Sequence, residues 1–244
     1  MTTVRLPSGC DEAATRIAGK MLLAVLAGLL LTTAAAAQQH PVHRLYHPAL
    51  PPGAIGSQRL VANGPLSGYI QPVEIRGPEG TQVAISHGGG LEEPLPLPLL
   101  VGMNIGPVYR LRVTNIPFRP GVEVYPTLEI VDRLHPPVGK ALEFPIPVEL
   151  TEEDLLLASG GYLVTRVIYV EDPDRALPVQ SDPLHQNWLD APRGQDPFTT
   201  ALELGRPVAI LRIGSRIPDP LGADGHMYSA PPVTFFERSG HVQP

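Results

Sequence analysis

Cysteine is almost absent from this chain: Cys10 is the only one in 244 residues. An intrachain disulfide is therefore excluded. Lysine is nearly as scarce, with only Lys20 and Lys140, so arginine carries almost all of the positive charge. Charged residues make up 17% and aromatic residues 5%, and the net charge is −6. A balance on the acidic side gives no overall electrostatic case for nucleic acid. The longest apolar run, Met21–Leu31, has 11 residues, short of the ~20 that a bilayer span needs. No G-x-S-x-G, H-E-x-x-H, C-x-x-C or P-loop pattern occurs, and Ser215 sits in Ile-Gly-Ser-Arg-Ile. No catalytic set is assembled by motif, so the chain is read as non-enzymatic.

Proline and glycine are abundant instead. The 30 prolines and 24 glycines exceed a fifth of the chain, against about 12% in ordinary globular proteins. Proline breaks helices and glycine weakens them. The hydrophobic fraction of 43% argues against wholesale disorder. A β-rich body with disordered termini is the first expectation.

The run Met21–Leu31 follows Arg5, Arg16 and Lys20 and precedes Thr-Thr-Ala-Ala-Ala-Ala. A basic flank, a short apolar run and small residues form the pattern of a secretory signal peptide, with cleavage expected after Ala37. Met21 is an alternative start. Removing residues 1–37 also removes Cys10, so a secreted or periplasmic body must rely on its own core. Residues 38–66 read as a Pro-rich arm or linker, with a short strand at Gln58–Ala62. Residues 67–217 carry the periodic signal, and residues 218–244 read as a flexible C-terminal tail.

Within 67–217 the dominant period is two. In Val108–Ile116, Tyr109, Leu111 and Val113 are apolar while Arg110, Arg112 and Thr114 alternate with them. In Val122–Asp132, Val122, Val124, Leu128 and Ile130 share one face, and Glu123, Thr127 and Glu129 take the wet one. Leu142–Leu150 alternates Leu142, Phe144, Ile146, Val148 and Leu150 with Glu143, Pro145, Pro147 and Glu149. Prolines two apart remove N–H groups along one edge, so this strand belongs at a sheet edge. Pro94, Pro96 and Pro98 repeat the arrangement, as an edge strand or a polyproline segment. Tyr162–Val170 is apolar at both parities and reads as a central, doubly covered strand. Gly68–Arg76, Thr81–His87 and Arg206–Gly214 complete the strands. Thr151 followed by Glu152, Glu153 and Asp154 opens a short helix, and Asp196-Pro197 opens another. The fold class is therefore all-β: an antiparallel β-sandwich, immunoglobulin-like or jelly-roll-like, with one or two short helices.

Three histidines carry the one specific chemical idea. With Gln38 as the mature N-terminus, His40 is the third residue. A free amine, two backbone amides and a third-position imidazole form a square-planar set suited to copper or nickel, and His43 and His47 supply further nitrogen ligands. The alternative is a polar exported arm with no cofactor. Glu171, Asp172 and Asp174 read as turn residues after a strand. Asp182, Asp190 and Asp196 lie in a loop with His185 and Trp188. It reads as a packed cover on the sandwich, anchored by Trp188, with a surface binding loop as the alternative.

The stretch VYRLRVTNIPFRPGVEVYPTLEIVDRLHPPVGKALEFPIPVELTEEDLLLASGGYLVTRVIYVEDPDRALP, together with GRPVAILRIGSR, resembles uncharacterised secreted proteins of planctomycete-type bacteria. The resemblance covers about half the chain. It implies export and an envelope setting, and transfers no catalytic residue. The expected function is an exported structural or protein-interaction module of the cell envelope. Its partner is an envelope or secreted protein, with no nucleic acid and no membrane span after signal cleavage. The alternative is a ligand-binding module, for carbohydrate or for copper through His40, His43 and His47.

Overall fold

The computed structural model describes residues 50–61, 68–87, 90–175, 186–192, 194–215 and 231–236. Eleven strands are formed among the described residues: β1 Ile70–Arg76, β2 Gln82–His87, β3 Gly90–Leu91, β4 Leu95–Pro96, β5 Leu99–Asn104, β6 Val108–Thr114, β7 Thr127–Ile130, β8 Ile146–Glu149, β9 Val164–Glu171, β10 Gly205–Ile213 and β11 Val233–Phe235; β3, β5 and β11 lie outside the expected period-two segments. The helices are α1 Ala54–Val61, α2 Glu152–Ser159 and α3 Pro197–Leu204. A four-stranded sheet runs β11-β5-β1-β8. A larger sheet runs β3-β2-β6-β7-β10-β9, with β4 also paired to β2, and it curls into a half-barrel. The protein is thus mostly β, with two sheets and three short helices among the described residues.

One hydrophobic core joins the sheets. Val73, Val101, Met103, Ile146 and Val148 of the smaller sheet cluster with Val83, Leu111, Val113, Leu128 and Leu211 of the larger. Tyr109, Leu111 and Val113 are buried as their alternation requires. β8 lies at a sheet edge, as Pro145 and Pro147 require. Thr151 caps α2 by accepting the Asp154 N–H at 3.1 Å, and Asp196 caps α3 by accepting the Phe198 N–H at 3.0 Å.

Several expectations are corrected. The arrangement is not purely antiparallel, because β1 and β8 run parallel, with Ile75 opposite Val148. Side-chain alternation carries no information about strand direction. Leu142 and Phe144 are exposed, since residues Ala141–Glu143 form a 3-10 turn and the strand starts only at Ile146. Within the Pro94–Pro98 stretch only Leu95 and Pro96 form a strand: β4 pairs on one side with β2 at the margin of the larger sheet, and the next strand, β5, begins at Leu99. Tyr162–Val170 gives β9, which is an edge strand rather than a central one. Its cover comes from helices: Val167 packs with Phe198 of α3, and Ile168 belongs to the core cluster that includes Leu155 and Ala158 of α2.

The segment expected to hold a strand at Gln58–Ala62 forms α1, and its docking explains a further correction. Glu129, expected on a wet face, is fully buried. Its carboxylate accepts the Gly56 N–H at 2.7 Å and the Gly53 N–H at 2.9 Å, and pairs with Arg212 at 3.3 Å. A helix N-terminus presents unpaired N–H groups and positive dipole charge, which a carboxylate satisfies. Ile55 then packs on Val131, Phe198 and Ile210. Arg59 of α1 and Arg206 of β10 both bond Asp132, at 2.9 and 2.8 Å. Strand β11, in the segment read as a tail, pairs with β5.

Tyr109 fastens that last strand. Its hydroxyl accepts the Asn104 N–H at 2.6 Å and donates to the Pro232 carbonyl at 3.2 Å. Burial pushes its pKa up from the usual 10 to about 12, against the lowering effect of the Asn104 hydrogen bond. The folded state therefore holds this proton more tightly than the unfolded chain. The stabilisation is fully present below pH ~10 and is lost as pH rises through about 12, amounting to roughly 2–3 kcal/mol. Tyr109→Phe is expected to lose about 1–3 kcal/mol at pH 7, because the Asn104 N–H and the Pro232 carbonyl lose their shared partner, the buried hydroxyl. It is also expected to flatten the fall in stability between pH 10 and 12. Urea titrations of both proteins across that range check this; an unchanged slope in the variant contradicts it.

Candidate functional site

Among the described residues β9 pairs on one side only, with β10. Its register against β10 places Arg166 opposite Leu211 and Ile168 opposite Ala209. The direction of its backbone groups follows from the neighbouring ladders. The Leu111 N–H donates to the Pro126 carbonyl, and the Gly106 N–H to the Ile130 carbonyl. The groups of Leu128 and Ile130 therefore face β6, and those of Glu129 face β10, where Ile210 stands opposite. Alternation then turns the groups of Leu211 and Ala209 toward Arg166 and Ile168. The N–H and C=O of Thr165, Val167 and Tyr169 point away from β10, to an edge on which no strand pairs among the described residues. Pro207, which has no N–H, stands opposite Tyr169.

A cleft of about 460 Å³ runs along this edge, lined by every residue from Thr165 to Tyr169. One wall is α3, with Pro197, Thr200, Ala201 and Leu204. The other holds Glu149, Asp154 of α2 and the segment Gln186–Ala191. Gln186 is tied to β8: its N–H donates to Glu149 at 2.8 Å, and its side-chain amide to the Pro147 carbonyl at 3.3 Å.

Arg166 organises the second wall. Its guanidinium makes a two-pronged contact with Asp154, Nε at 3.1 Å and Nη2 at 2.8 Å. The guanidinium also lies over the Trp188 ring, its central carbon 5.3 Å from the centroid. The Asp154 hydrogen bond holds the Arg166 pKa above its ordinary value despite partial burial, with the charge of Asp190 adding to it. Arg166 is thus a permanent cation whose charge Asp154 cancels. Burial raises the Tyr169 pKa, and the neighbouring charge of Glu171 raises it further. Trp188 is 56% exposed, so the expectation of a packed anchor is corrected: the ring is spread over Arg166, with one part in solvent.

Of the loop acids, Asp190 lines the cleft, Asp196 is spent on capping α3, and Asp182 and His185 lie outside the described residues. Glu152 and Glu153 stand with Asp154 in the first turn of α2, as the dipole favours. Asp172 accepts the Asp174 N–H in a turn. His40, His43 and His47, the copper or nickel set, and Gln38 lie outside the described residues. Among the described residues no group of three or more His, Cys, Asp or Glu is placed to hold a metal ion.

Sequence reasoning missed Arg166, Gln186 and the edge itself. A signal for Arg166 was present: it is the lone charge inside Tyr-Leu-Val-Thr-Arg-Val-Ile-Tyr-Val, and a guanidinium in an apolar strand needs a carboxylate. No family model matches the chain, and comparison with curated proteins and with solved structures likewise finds no match. Among the described residues no helix is long and apolar enough to cross a membrane.

Proposed function

We propose that this protein is an exported, non-enzymatic interaction module of the cell envelope, which binds an extended segment of a partner protein along the free edge of β9. The single observation that carries the reading is that edge: three residues turn backbone groups that pair with no described strand into a cleft walled by α2 and α3. Adding a strand to such an edge gives main-chain hydrogen bonds for affinity and side-chain pockets for specificity. The two sheets, packed on one core, are read as a β-sandwich with a strongly curled second layer. Export rests on the signal-like N-terminus.

A second reading takes the same cleft as a carbohydrate site, favoured by a half-exposed Trp188 ring beside Asn187 and Asp190. Amide hydrogen exchange separates the two. In the free protein the Thr165, Val167 and Tyr169 amides are expected to exchange fast, and those of Arg166 and Ile168 slowly. Binding of an extended peptide should slow the first set. Thr165→Pro, which replaces a free-edge N–H with a ring and leaves the β10 bonds in place, should abolish binding at little cost in stability. Full protection of all five amides in the free protein overturns the proposal. So does saturable binding of an oligosaccharide that Thr165→Pro leaves intact.

A further inference from the structure

The two walls of the β9 cleft differ in chemistry, and a strand lying between them must present alternate side chains to each. Val167 and Tyr169 lean to the α3 side, where Pro197, Ala201 and Leu204 offer an apolar surface. Arg166 leans to the α2 side, where Asp154, Trp188 and Asp190 gather. Among the described residues Arg166 is the only cation lining the cleft, and Asp154 cancels it. Asp190 and Glu171 also line the cleft and form no ion pair with a described residue, so the charge left over is negative. The outer part of the Trp188 ring is exposed beside Asp190, a setting that suits the aliphatic stem and charged head of a lysine or arginine.

Resting on the strand-addition reading above, we propose that the bound segment alternates apolar and basic residues: small or branched apolar side chains against α3, lysine or arginine against Trp188 and Asp190. Charge complementarity selects this class of partner, and an acidic segment is rejected by Asp190 and Glu171. The register is fixed by the pleat, because a shift of one residue turns every basic side chain onto the apolar wall.

Trp188 is the only tryptophan in the chain, so its emission reports on this wall alone. The test titrates three end-capped peptides into the full chain: Val-Lys repeated four times, Val-Ser repeated four times and Val-Glu repeated four times. The Val-Lys peptide is expected to shift Trp188 emission saturably and to bind about tenfold tighter than Val-Ser at low salt, with the gap closing as salt is raised. Val-Glu should show no saturable binding. Asp190→Asn, at an exposed position, should reduce the preference for lysine several-fold while leaving the melting temperature unchanged.

Equal affinity for Val-Lys and Val-Ser, or tight binding of Val-Glu, overturns the basic preference. Strand addition itself still stands in that case if Thr165→Pro abolishes binding of every peptide. If no peptide shifts Trp188 or slows the edge amides, both the preference and strand addition fail. A concentration-dependent dimer in sedimentation, with the edge amides protected and no competition by peptide, overturns the proposal in favour of a second copy of this chain as the occupant.

Discussion

Glu129→Ala is expected to remove about 3–5 kcal/mol of stability, because it strands a charge as well as deleting contacts. The carboxylate is fully buried, and its partner Arg212 has a side chain only 8% exposed. Without Glu129 the guanidinium stays in a low-dielectric setting with no counter-charge, and the N–H groups of Gly53 and Gly56 lose their acceptor. A domain of ordinary stability has about 5–15 kcal/mol in total, so the variant sits near the limit of folding. The effect should be concentrated at α1. Ile55 can remain on Val131 and Phe198 only while the helix N-terminus is pinned. Urea unfolding measures the total, and amide exchange over Ala54–Val61 locates it. The double variant Glu129→Leu with Arg212→Met removes both charges and should recover most of the loss. A drop of under about 1 kcal/mol in Glu129→Ala, with the α1 amides still protected, would show that the buried pair does not hold the helix.

Glu129 also marks the boundary of what the sequence makes legible. Alternation placed it correctly on the face opposite Leu128 and Ile130. It could not show that this face is covered, because the cover comes from Gly53 and Gly56, more than 70 positions upstream. β6 was legible because its burial follows from its own side chains, whichever strands flank it. β9 failed for the converse reason. Both its faces are apolar enough to be covered, but a helix covers as well as a strand does, and the composition of β9 does not distinguish them. Proline was more informative, since a missing N–H restricts the backbone itself: Pro145 and Pro147 put β8 at an edge in any topology.

The site was less legible still. Its floor is a set of backbone groups, and backbone groups have no letter in a sequence. The free edge at Thr165, Val167 and Tyr169 follows from the count of strands and from registers propagated across β6, β7 and β10. Trp188 and Asp190 were singled out together, but their meaning depends on Arg166, separated from Trp188 by a segment with no periodic signal. Local spacing yields caps and turns. The pairing of Arg166 with Asp154 and Trp188 arises only when α2, β9 and the Gln186–Ala191 segment converge.

Gly205→Ala is expected to act on this cleft from its far end. Gly205 joins α3 to β10 and lies opposite Glu171. A Cβ there would run into the Val170 carbonyl oxygen and stand 3.0 Å from the Asp172 nitrogen and the Glu171 Cα. All three obstacles are backbone, so no rotamer change relieves them. The backbone at Gly205 is extended, so the requirement for glycine is close approach and not left-handed geometry. Overpacking of this kind costs about 1–3 kcal/mol and at times more. Here the upper end is expected, because the neighbouring Asp172 N–H bond to the Leu204 carbonyl, 3.0 Å, must open as the strands separate. The displacement falls on Val170 and Glu171, so β9 should pull away from β10 at the end where Tyr169 faces the cleft. Two readouts separate this from general destabilisation. Amides of Val164–Arg166, near the other end of β9, should keep their protection pattern, while affinity for the Val-Lys peptide falls by about tenfold or more at temperatures where the variant is fully folded. If Gly205→Ala melts lower yet binds the peptide as tightly as the parent, the β9–β10 register at Gly205 does not shape the site.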